Sequence, residues 1–309
     1  MPETQDVLIL GAGPGGLCSA LYCTRAGLSS VLLDRGPAGG QINNTEAVEN
    51  YLGVDYMEGP EMAQAMAAHV ERLGIEVTYG NVEKVTQEDD GTFVVHTDGE
   101  DKFHGKACII GTGSHPRYLG VPGEKEYRMG GVSYCATCDG FFFKDKDVVV
   151  VGGGDAAIEE SIYLSKIVSS VRCIHRRDEL RAQQVLQDRA FEKDNFSVVW
   201  DTVVEEIVGE NGRVTGVNVL NKKTGETDRL SCDGVFIYIG NLPNSEPVRD
   251  LVDTDENGYV IVDHMMQSSV EGLYAIGDVR IESVRQIASA VGDGATAAVA
   301  AVAYVNALG

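Results

Sequence analysis

Val7-Leu-Ile-Leu-Gly-Ala-Gly-Pro-Gly-Gly16 is a short apolar run that leads directly into a glycine-rich turn. The run is typical of a buried parallel strand, and residues 17–26 after the turn predict a helix. Gly11 permits the tight turn, Gly13 lets the backbone approach a pyrophosphate, and Gly16 lets helix and strand pack closely. A second apolar run, residues 30–33, ends in Asp34, where a carboxylate accepts hydrogen bonds from ribose hydroxyls. Together these features predict a dinucleotide site that suits an adenosine with a free 2′-hydroxyl.

The same pattern recurs in the middle of the chain. A strand at 147–151 precedes a glycine turn, a helix at about 156–166 and a strand at 170–174, and Gly152, Gly154 and Ala157 stand in the three fingerprint positions. The position equivalent to Asp34 holds His175, which removes the acid that would repel a 2′-phosphate. Guanidinium groups that bind such a phosphate directly follow at Arg176, Arg177 and Arg181. The pattern therefore favours NADPH over NADH, with a solvated basic turn as the alternative interpretation.

Cys135 and Cys138 lie between the two signatures, in Val132-Ser-Tyr-Cys-Ala-Thr-Cys-Asp-Gly-Phe-Phe-Phe143. A Cys-x-x-Cys pair closes a short disulfide loop and often has lowered thiol pKa values, whereas a structural zinc site needs four ligands, usually from two such pairs. The other five cysteines form no second pair of this spacing. The pattern favours a redox dithiol over half of a zinc site or two inert thiols. We expect four of the remaining cysteines to be buried in helix or strand, and leave the fifth, Cys232, open: Cys18, Cys23, Cys108 and Cys173.

A dithiol between two dinucleotide sites suggests a path for electrons. NADPH delivers a hydride and a disulfide accepts two electrons, so a flavin between them is chemically sensible. FAD is therefore the expected occupant of the first site. A late segment, Gly272-Leu-Tyr-Ala-Ile-Gly-Asp-Val279, predicts a strand that ends in Gly277-Asp278, although such a pair alone is equally compatible with an ordinary turn. Arg285-Gln-Ile-Ala288 follows, and a helix rich in small residues is predicted after it, through Leu308.

These pieces, in this order, resemble the low-molecular-weight thioredoxin reductases of the bacterial and archaeal type, a class II group of pyridine nucleotide-disulfide oxidoreductases. The similarity runs from Val7 to Leu308. The dithiol segment and the arginine turn are its most specific parts, while the glycine turns are shared by many flavoproteins. The departures are Ala156 where serine is common, and Met129-Gly-Gly131 in place of the more usual Gly-Arg-Gly. The other matching pieces are Gly39-Gly-Gln-Ile42, Glu49-Asn-Tyr-Leu-Gly53, His175-Arg-Arg-Asp-Glu-Leu-Arg181, Gly277-Asp-Val279 and Arg285-Gln-Ile287.

The resemblance implies a role for each matching residue. Cys138 would exchange electrons with the flavin, Cys135 would attack the partner's disulfide, and Asp139 would be the acid/base for the dithiol. For Asp139 a helix N-cap is the alternative role, and the two roles are compatible. Asp278 would contact the ribityl and phosphate portion of FAD. The remaining residues would line the flavin or pass near its ring: Gly39, Gly40, Gln41, Asn50, Arg285, Gln286 and Ile287.

The order of the motifs predicts an α/β fold of two Rossmann-like, three-layer nucleotide-binding domains, the second inserted in the first. We expect an FAD-binding domain at 1–117 and 248–309, and an NADPH-binding domain with the dithiol at 118–247. Both linkers are rich in Pro and Gly, at 115–123 and 240–247. Alternating patterns with Asp-Gly or Asn-Gly turns predict small antiparallel excursions at 78–108 and 198–239.

Composition sets further limits. The 309 residues carry a net charge of −22, which argues against a nucleic-acid partner. The polar, acidic N-terminus predicts no signal peptide, and the apolar stretch 295–308 is expected to be too short for a membrane span. We expect a cytoplasmic homodimer that reduces thioredoxin or a thioredoxin-like protein, as the resemblance implies. Two rival functions are the flavoprotein partner of a peroxide-reductase system, which usually carries an extra N-terminal redox region, and a non-catalytic flavin- or NADPH-binding protein.

Overall fold

A computed structural model describes residues 4–45, 47–99 and 101–309 of the chain. The helices are α1 (Pro14–Arg25), α2 (Gly59–Glu71), α3 (Ala136–Asp139), α4 (Asp155–Leu164), α5 (Gln184–Phe191) and α6 (Ile287–Leu308). The strands are β1 (Thr4–Leu10), β2 (Ser30–Asp34), β3 (Ala47–Val48), β4 (Met57–Glu58), β5 (Val77–Tyr79), β6 (Val82–Gln87), β7 (Phe93–Thr97), β8 (Lys102–Ile110), β9 (Ser114–Pro116), β10 (Val132–Ser133), β11 (Asp147–Gly152), β12 (Ser170–Ile174), β13 (Phe196–Val199), β14 (Thr202–Glu210), β15 (Arg213–Asn221), β16 (Thr227–Ser231), β17 (Gly234–Tyr238), β18 (Asn241–Pro243) and β19 (Leu273–Ala275). Four 3₁₀ segments lie at Gly40–Asn44, Gly140–Phe143, Glu246–Val248 and Gly277–Val279.

The chain forms two compact units. The first comprises Met1–Asn44, Val48–His115 and Leu242–Gly309, and the second comprises Thr45–Ala47 and Pro116–Asn241. The first unit contains a sheet in which β5, β2, β1, β8 and β19 run parallel, and β7 and β6 continue antiparallel from β8. Helices α1 and α6 pack on one face of this sheet, where Val7, Ile9 and Ile109 are fully buried.

The second unit repeats the parallel pattern. Its sheet has the order β10-β17-β11-β12-β13, with all neighbouring strands parallel. A three-stranded antiparallel sheet, β14-β15-β16, covers one face, and α4 and α5 belong to the core on the other. The predicted α/β class with two parallel-stranded nucleotide-binding folds is confirmed.

The predicted antiparallel excursions are present but shorter than expected. β5 at the start of the first range pairs parallel with β2, and β13 and β17 within the second range belong to the parallel sheet. The antiparallel parts are β6–β7–β8 and β14–β15–β16. The alternation of apolar residues was misleading here, because short buried parallel strands flanked by turns have the same composition.

The last helix ends at Leu308, as predicted, but it is longer than the apolar stretch 295–308 that was expected to be too short for a membrane span. α6 begins at Ile287 and has 22 residues, so by length and composition alone it could cross a membrane. Its contacts identify one face as core: Ser19 Oγ of α1 donates to the Gly294 carbonyl at 3.0 Å, and a Cβ at Gly294 would collide with the Gly15 carbonyl. Small residues on this face, Ala297, Ala298 and Ala301 among them, are fully buried against α1 and the sheet.

Candidate functional site

Cys135 and Cys138 are joined by a disulfide, with their Cα atoms 5.3 Å apart. β10 delivers the chain to Cys135, and α3 starts at the next residue, so the disulfide lies at a strand-to-helix junction. Both cysteines are partly exposed. A half-buried disulfide in a short loop can exchange with an external thiol. A redox dithiol requires this access, whereas half of a zinc site or a pair of inert thiols does not.

A serine that the sequence analysis did not single out organises the disulfide loop. Ser133 Oγ donates to Asp139 Oδ2 at 2.6 Å and accepts from the Cys135 amide at 3.1 Å. The hydroxyl therefore joins the backbone of the first cysteine to the carboxylate that follows the second. Asp139 ends α3 and stands directly before the 3₁₀ segment Gly140–Phe143, at its N-cap position. The Asp139 carboxylate is thus held by the same hydroxyl that binds the Cys135 amide.

The five other cysteines are buried, as predicted for four of them. Burial raises the pKa of the Cys18 thiol to about 11 and those of Cys23, Cys173 and Cys232 to about 12. It also raises the pKa of the fully buried Cys108. These thiols stay protonated and unreactive, because the thiolate is the nucleophile. Cys232, left open by the sequence, belongs with them.

The first glycine turn has the form that a dinucleotide needs. Gly11 has φ +101°, and a Cβ there would collide with the Gly111 carbonyl, while a Cβ at Gly16 would collide with the Gly11 carbonyl. Around Gly13 the space within 4 Å of a Cβ is open, at the start of α1. The turn is thus packed tightly at its first and third glycines and open at its second, which is the arrangement that admits a pyrophosphate.

Asp34 is fixed by the backbone on both sides. Its Oδ2 accepts from the Ala12 amide at 2.7 Å and its Oδ1 accepts from the Gly36 amide at 2.8 Å. The carboxylate therefore ties the end of β2 to the glycine turn. Each oxygen keeps a further lone pair that could accept from a ribose hydroxyl. These residues fit the adenosine diphosphate portion of FAD.

The residues expected around the flavin belong to the same unit, and some of them meet. Asn50 Nδ2 donates to Gln286 Oε1 at 3.2 Å, across 236 residues of sequence, and Gln41 Nε2 donates to the Ser114 carbonyl at 3.3 Å. The Arg285 guanidinium lies 5.7 Å from the centre of the Tyr259 ring. Gly40 has a positive φ of 56° and starts the 3₁₀ segment that carries Gln41, while Ile287 is the first residue of α6.

Asp278 follows Gly277 in a short 3₁₀ turn and is largely buried. Burial raises the pKa of its carboxyl, opposed by a hydrogen bond from Ser283 Oγ at 3.2 Å. A carboxylate oxygen has more than one lone pair, so the Ser283 hydrogen bond leaves Asp278 further acceptor capacity.

A buried ion pair supports this turn, and the sequence analysis missed it. Asp293 accepts from Arg280 Nε at 2.7 Å and from Arg280 Nη2 at 2.9 Å, and the same carboxylate accepts from the Gly277 amide at 3.0 Å. One acidic residue inside the apolar helix α6 was the available signal, because an unpaired charge there would be costly. The pair anchors the Gly277-Asp278 turn to α6.

The second glycine turn is packed by a histidine. A Cβ at Gly153 would collide with the His175 ring, whose Nδ1 lies 2.7 Å from the Gly152 carbonyl. His175 is buried, and within the described residues its Nε2 has no hydrogen-bond partner. His175, which occupies the position equivalent to Asp34, thus packs against the second glycine turn. Ala157 is fully buried against Gly152, as the third fingerprint position requires.

Three arginines that follow His175 in the chain lie at the surface, and Arg181 adjoins the second glycine turn. Arg176, Arg177 and Arg181 are exposed, and the Arg181 amide donates to the Gly153 carbonyl at 2.7 Å. In the part of the chain that the structure describes, none of the three guanidinium groups forms an ion pair with an acidic side chain. The Arg181 side chain lies next to Gly154, the second fingerprint position.

Two dinucleotide turns and a disulfide bordered by a carboxyl define a nucleotide-dependent disulfide oxidoreductase. Residues 5–294 match the sequence family described as "Pyridine nucleotide-disulphide oxidoreductase". A thioredoxin reductase of Bacillus subtilis (strain 168) is 46% identical over 306 residues, which are 99% of this chain and 96% of the relative. A thioredoxin reductase of Rickettsia conorii is 42% identical over 310 residues, covering 99% of this chain and 100% of the relative.

A solved structure is similar over nearly the whole chain. The crystal structure of thioredoxin reductase from Streptococcus pyogenes MGAS5005 superposes with a TM-score of 0.93 at 46% identity, covering 98% of this chain and 99% of that one. The chain belongs to the pyridine nucleotide-disulphide oxidoreductase family. Its cofactors are FAD and NADPH, and the two glycine turns fit them as described above.

Proposed function

We propose that this protein is an NADPH-dependent thioredoxin-disulfide reductase. The observation that carries the proposal is the Cys135–Cys138 disulfide with the Ser133 and Asp139 side chains hydrogen-bonded to its loop, in the unit that also holds the Gly152 turn. The similarity to thioredoxin reductases over 99% of the chain supports it. FAD, when bound, accepts a hydride from NADPH and supplies two electrons to the disulfide.

We assign each nucleotide to one unit. The FAD-binding domain is 1–117 with 248–309, and it contains the Gly11 turn, Asp34 and Asp278. The NADPH-binding domain is 118–247, in which Gly152, Gly154 and Ala157 form the phosphate turn. The arginines at 176, 177 and 181, which have no acidic partner among the described residues, support recognition of the 2′-phosphate.

The two cysteines act in sequence. Two electrons and two protons convert the disulfide to two thiols, with Cys138 on the flavin side, and Asp139 relays a proton between the sulfurs and solvent. The Cys135 thiolate then attacks the partner's disulfide, so that one Cys135–partner bond forms and one partner thiolate leaves. Attack of the Cys138 thiolate on Cys135 Sγ breaks that mixed disulfide, restores the internal disulfide and releases the partner as a dithiol.

The partner, assembly and compartment complete the proposal. The partner is thioredoxin or a thioredoxin-like protein, the assembly is a homodimer, and the compartment is the cytoplasm. Five buried, unpaired thiols in the described residues are in keeping with a reducing compartment. Light scattering tests the assembly, since a dimer has twice the mass of the 33.1 kDa chain.

The test is NADPH oxidation coupled to reduction of a thioredoxin disulfide. The wild-type protein should consume one NADPH for each thioredoxin disulfide reduced, and Cys135→Ser should abolish the coupling while FAD remains bound. Rapid NADPH oxidation with a peroxide-reducing partner and none with thioredoxin would contradict the choice of partner. Absence of any disulfide reduction in the wild-type protein would contradict the enzymatic function.

A further inference from the structure

Tyr238, the last residue of β17, reaches the loop that carries the disulfide. Its phenol oxygen accepts a hydrogen bond from the Ala136 amide at 2.5 Å. Ala136 directly follows Cys135, lies within the ring that the disulfide closes, and is fully buried. A backbone donor inside the redox loop is therefore satisfied by a side chain 102 residues further along the chain.

The phenol is held in place by the core of the unit. Tyr238 pairs in register with Gly152 of β11, and its ring packs against the apolar cluster that includes Ala136, Ala157 and Ile158. Burial, together with the charges of Glu160 and Asp139, raises the pKa of Tyr238 well above its ordinary value, so the phenol remains neutral. The oxygen is thus a fixed acceptor whose position is set by the sheet, whatever the state of the two sulfurs.

The donor of this hydrogen bond, the Ala136 amide, lies in a loop whose covalent closure changes during the proposed reaction. While the disulfide is closed, Ala136 lies inside the covalent ring formed by two cysteines only three positions apart in the sequence, and this ring restricts its backbone. With the ring open, the loop gains conformations, and only some of them keep the amide at the phenol oxygen. An interaction that is stronger in one of two states shifts the equilibrium towards that state.

We propose that Tyr238 is a positioning residue of the redox centre, whose phenol oxygen holds the Ala136 amide and favours the disulfide over the dithiol form of Cys135 and Cys138. This inference rests on the proposed function of the two cysteines as the redox pair. It gives the sheet a direct effect on how easily the disulfide is reduced. It also assigns a role to a residue that no glycine or cysteine motif contains.

Tyr238→Phe tests the proposal, because it keeps the ring and removes only the oxygen. The holoenzyme would be equilibrated with mixtures of reduced and oxidised dithiothreitol, which supply and accept the two electrons and two protons. Trapping of free thiols and mass spectrometry of the peptide that contains both cysteines would give the dithiol fraction. We expect the variant to reach half reduction at a ratio of reduced to oxidised reagent about twofold to tenfold lower than wild type does.

Tyr134→Phe is the matched control. Tyr134 precedes Cys135 in the chain, but its hydroxyl donates to Glu124 Oε1 at 2.8 Å and makes no contact with the Ala136 amide. Its midpoint should equal that of wild type. Equal midpoints for Tyr238→Phe and wild type, with Tyr238→Phe merely less stable to heat, would show a structural role alone and overturn the proposal.

Hydrogen exchange of the Ala136 amide in the wild-type protein provides a second test that needs no variant. The amide should be more protected in the disulfide form than in the dithiol form, and equal protection would overturn the proposal. Neither measurement uses thioredoxin or NADPH. A shifted midpoint without thioredoxin reduction would therefore contradict the proposed function and leave the role of Tyr238 intact.

Discussion

At the scale of single residues, the spacing of the glycine fingerprint predicted which acidic residue lies at the first dinucleotide site. Asp34 was expected to accept hydrogen bonds from ribose hydroxyls at the first dinucleotide site, and its carboxylate lies at the glycine turn of that site, where it accepts from the Ala12 amide. The partners that come from far along the chain were not predictable in this way. Ser133 was overlooked although it stands two residues before Cys135, and Tyr238 meets Ala136 only because β17 is placed next to β11 and β10 in the sheet.

The first residue-scale prediction concerns nucleotide choice. Replacing Arg176 and Arg177 together by glutamine should raise KM for NADPH by about tenfold to a thousandfold, because charge-assisted hydrogen bonds contribute about 1.5–3 kcal/mol each and are not additive. KM for NADH should change little, since NADH has no 2′-phosphate. Steady-state kcat/KM for both nucleotides is the measurement, with Arg189→Gln, an exposed arginine on α5, as the control. Equal losses for the two nucleotides would mean that the pair supports the fold instead.

The second residue-scale prediction concerns pH. Burial, with a smaller contribution from the charge of Glu159, raises the pKa of Glu160 from an ordinary 4.5 to about 7, and its Oε2 has no hydrogen-bond partner in the described residues. The neutral carboxyl therefore favours the folded state fully below 4.5, and this contribution is lost as pH rises through 7. Glu160→Gln should be more stable than wild type at about pH 8, by on the order of 1–2 kcal/mol after allowance for partial exposure, and similar at about pH 4.5.

Urea unfolding at the two pH values is the measurement for Glu160. Glu159→Gln is the comparison, because Glu159 is exposed and acts on Glu160 only through its charge, so its effect should be smaller. A stability difference that is the same at both pH values would show that the carboxyl does not titrate in this range.

At the scale of elements, strands and glycine turns were predicted more accurately than helix ends. β12 has the bounds that the sequence indicated, whereas α1 begins at Pro14 and not at residue 17, because proline is well suited to the first helical position. α6 ends at Leu308 as predicted, but it begins at Ile287, inside the stretch 285–288 that was expected to precede the helix, through a capping box between Gln286 and Ser289. Caps of this kind are set by side-chain geometry that composition does not show.

The anchoring of the Gly277-Asp278 turn to α6 gives the element-scale prediction. Asp293→Asn should lower the free energy of unfolding by about 3–5 kcal/mol, because it leaves the Arg280 guanidinium buried without its counter-charge. It should also weaken FAD binding, since the turn that carries Asp278 loses an anchor. Chemical denaturation and reconstitution of the apoprotein with FAD are the measurements.

Lys106→Gln is the control for the Asp293 variant. Its pair with Asp6 spans 2.8 Å, but the two side chains are 39% and 22% exposed, against 14% and 10% for Arg280 and Asp293. An exposed pair contributes about 0–1 kcal/mol. A loss of stability for Asp293→Asn no larger than that of the control would contradict an anchoring role.

At the scale of the whole molecule, charge dominates. The chain carries 47 acidic and 25 basic side chains, and repulsion within the resulting net charge of −22 destabilises the folded protein. At 0.1 M salt, repulsion between exposed charges more than roughly 10 Å apart is largely screened, and at higher concentrations this distance is shorter. The free energy of unfolding should therefore rise as KCl increases from about 0.05 M to about 0.5 M. Sucrose at matched osmolality is the control, and a stability that does not respond to KCl would contradict the prediction.

The order of electron transfer is the central claim at this scale, and the Cys138→Ser variant tests it most directly. NADPH would be mixed with the variant holoenzyme in the absence of oxygen, and the flavin absorbance at about 450 nm would be followed in a stopped-flow spectrophotometer. We expect the flavin to bleach as in wild type while a thioredoxin disulfide added afterwards stays oxidised. Sustained reduction of thioredoxin by this variant, or a flavin that NADPH no longer bleaches, would contradict the order in which Cys138 stands between the flavin and Cys135.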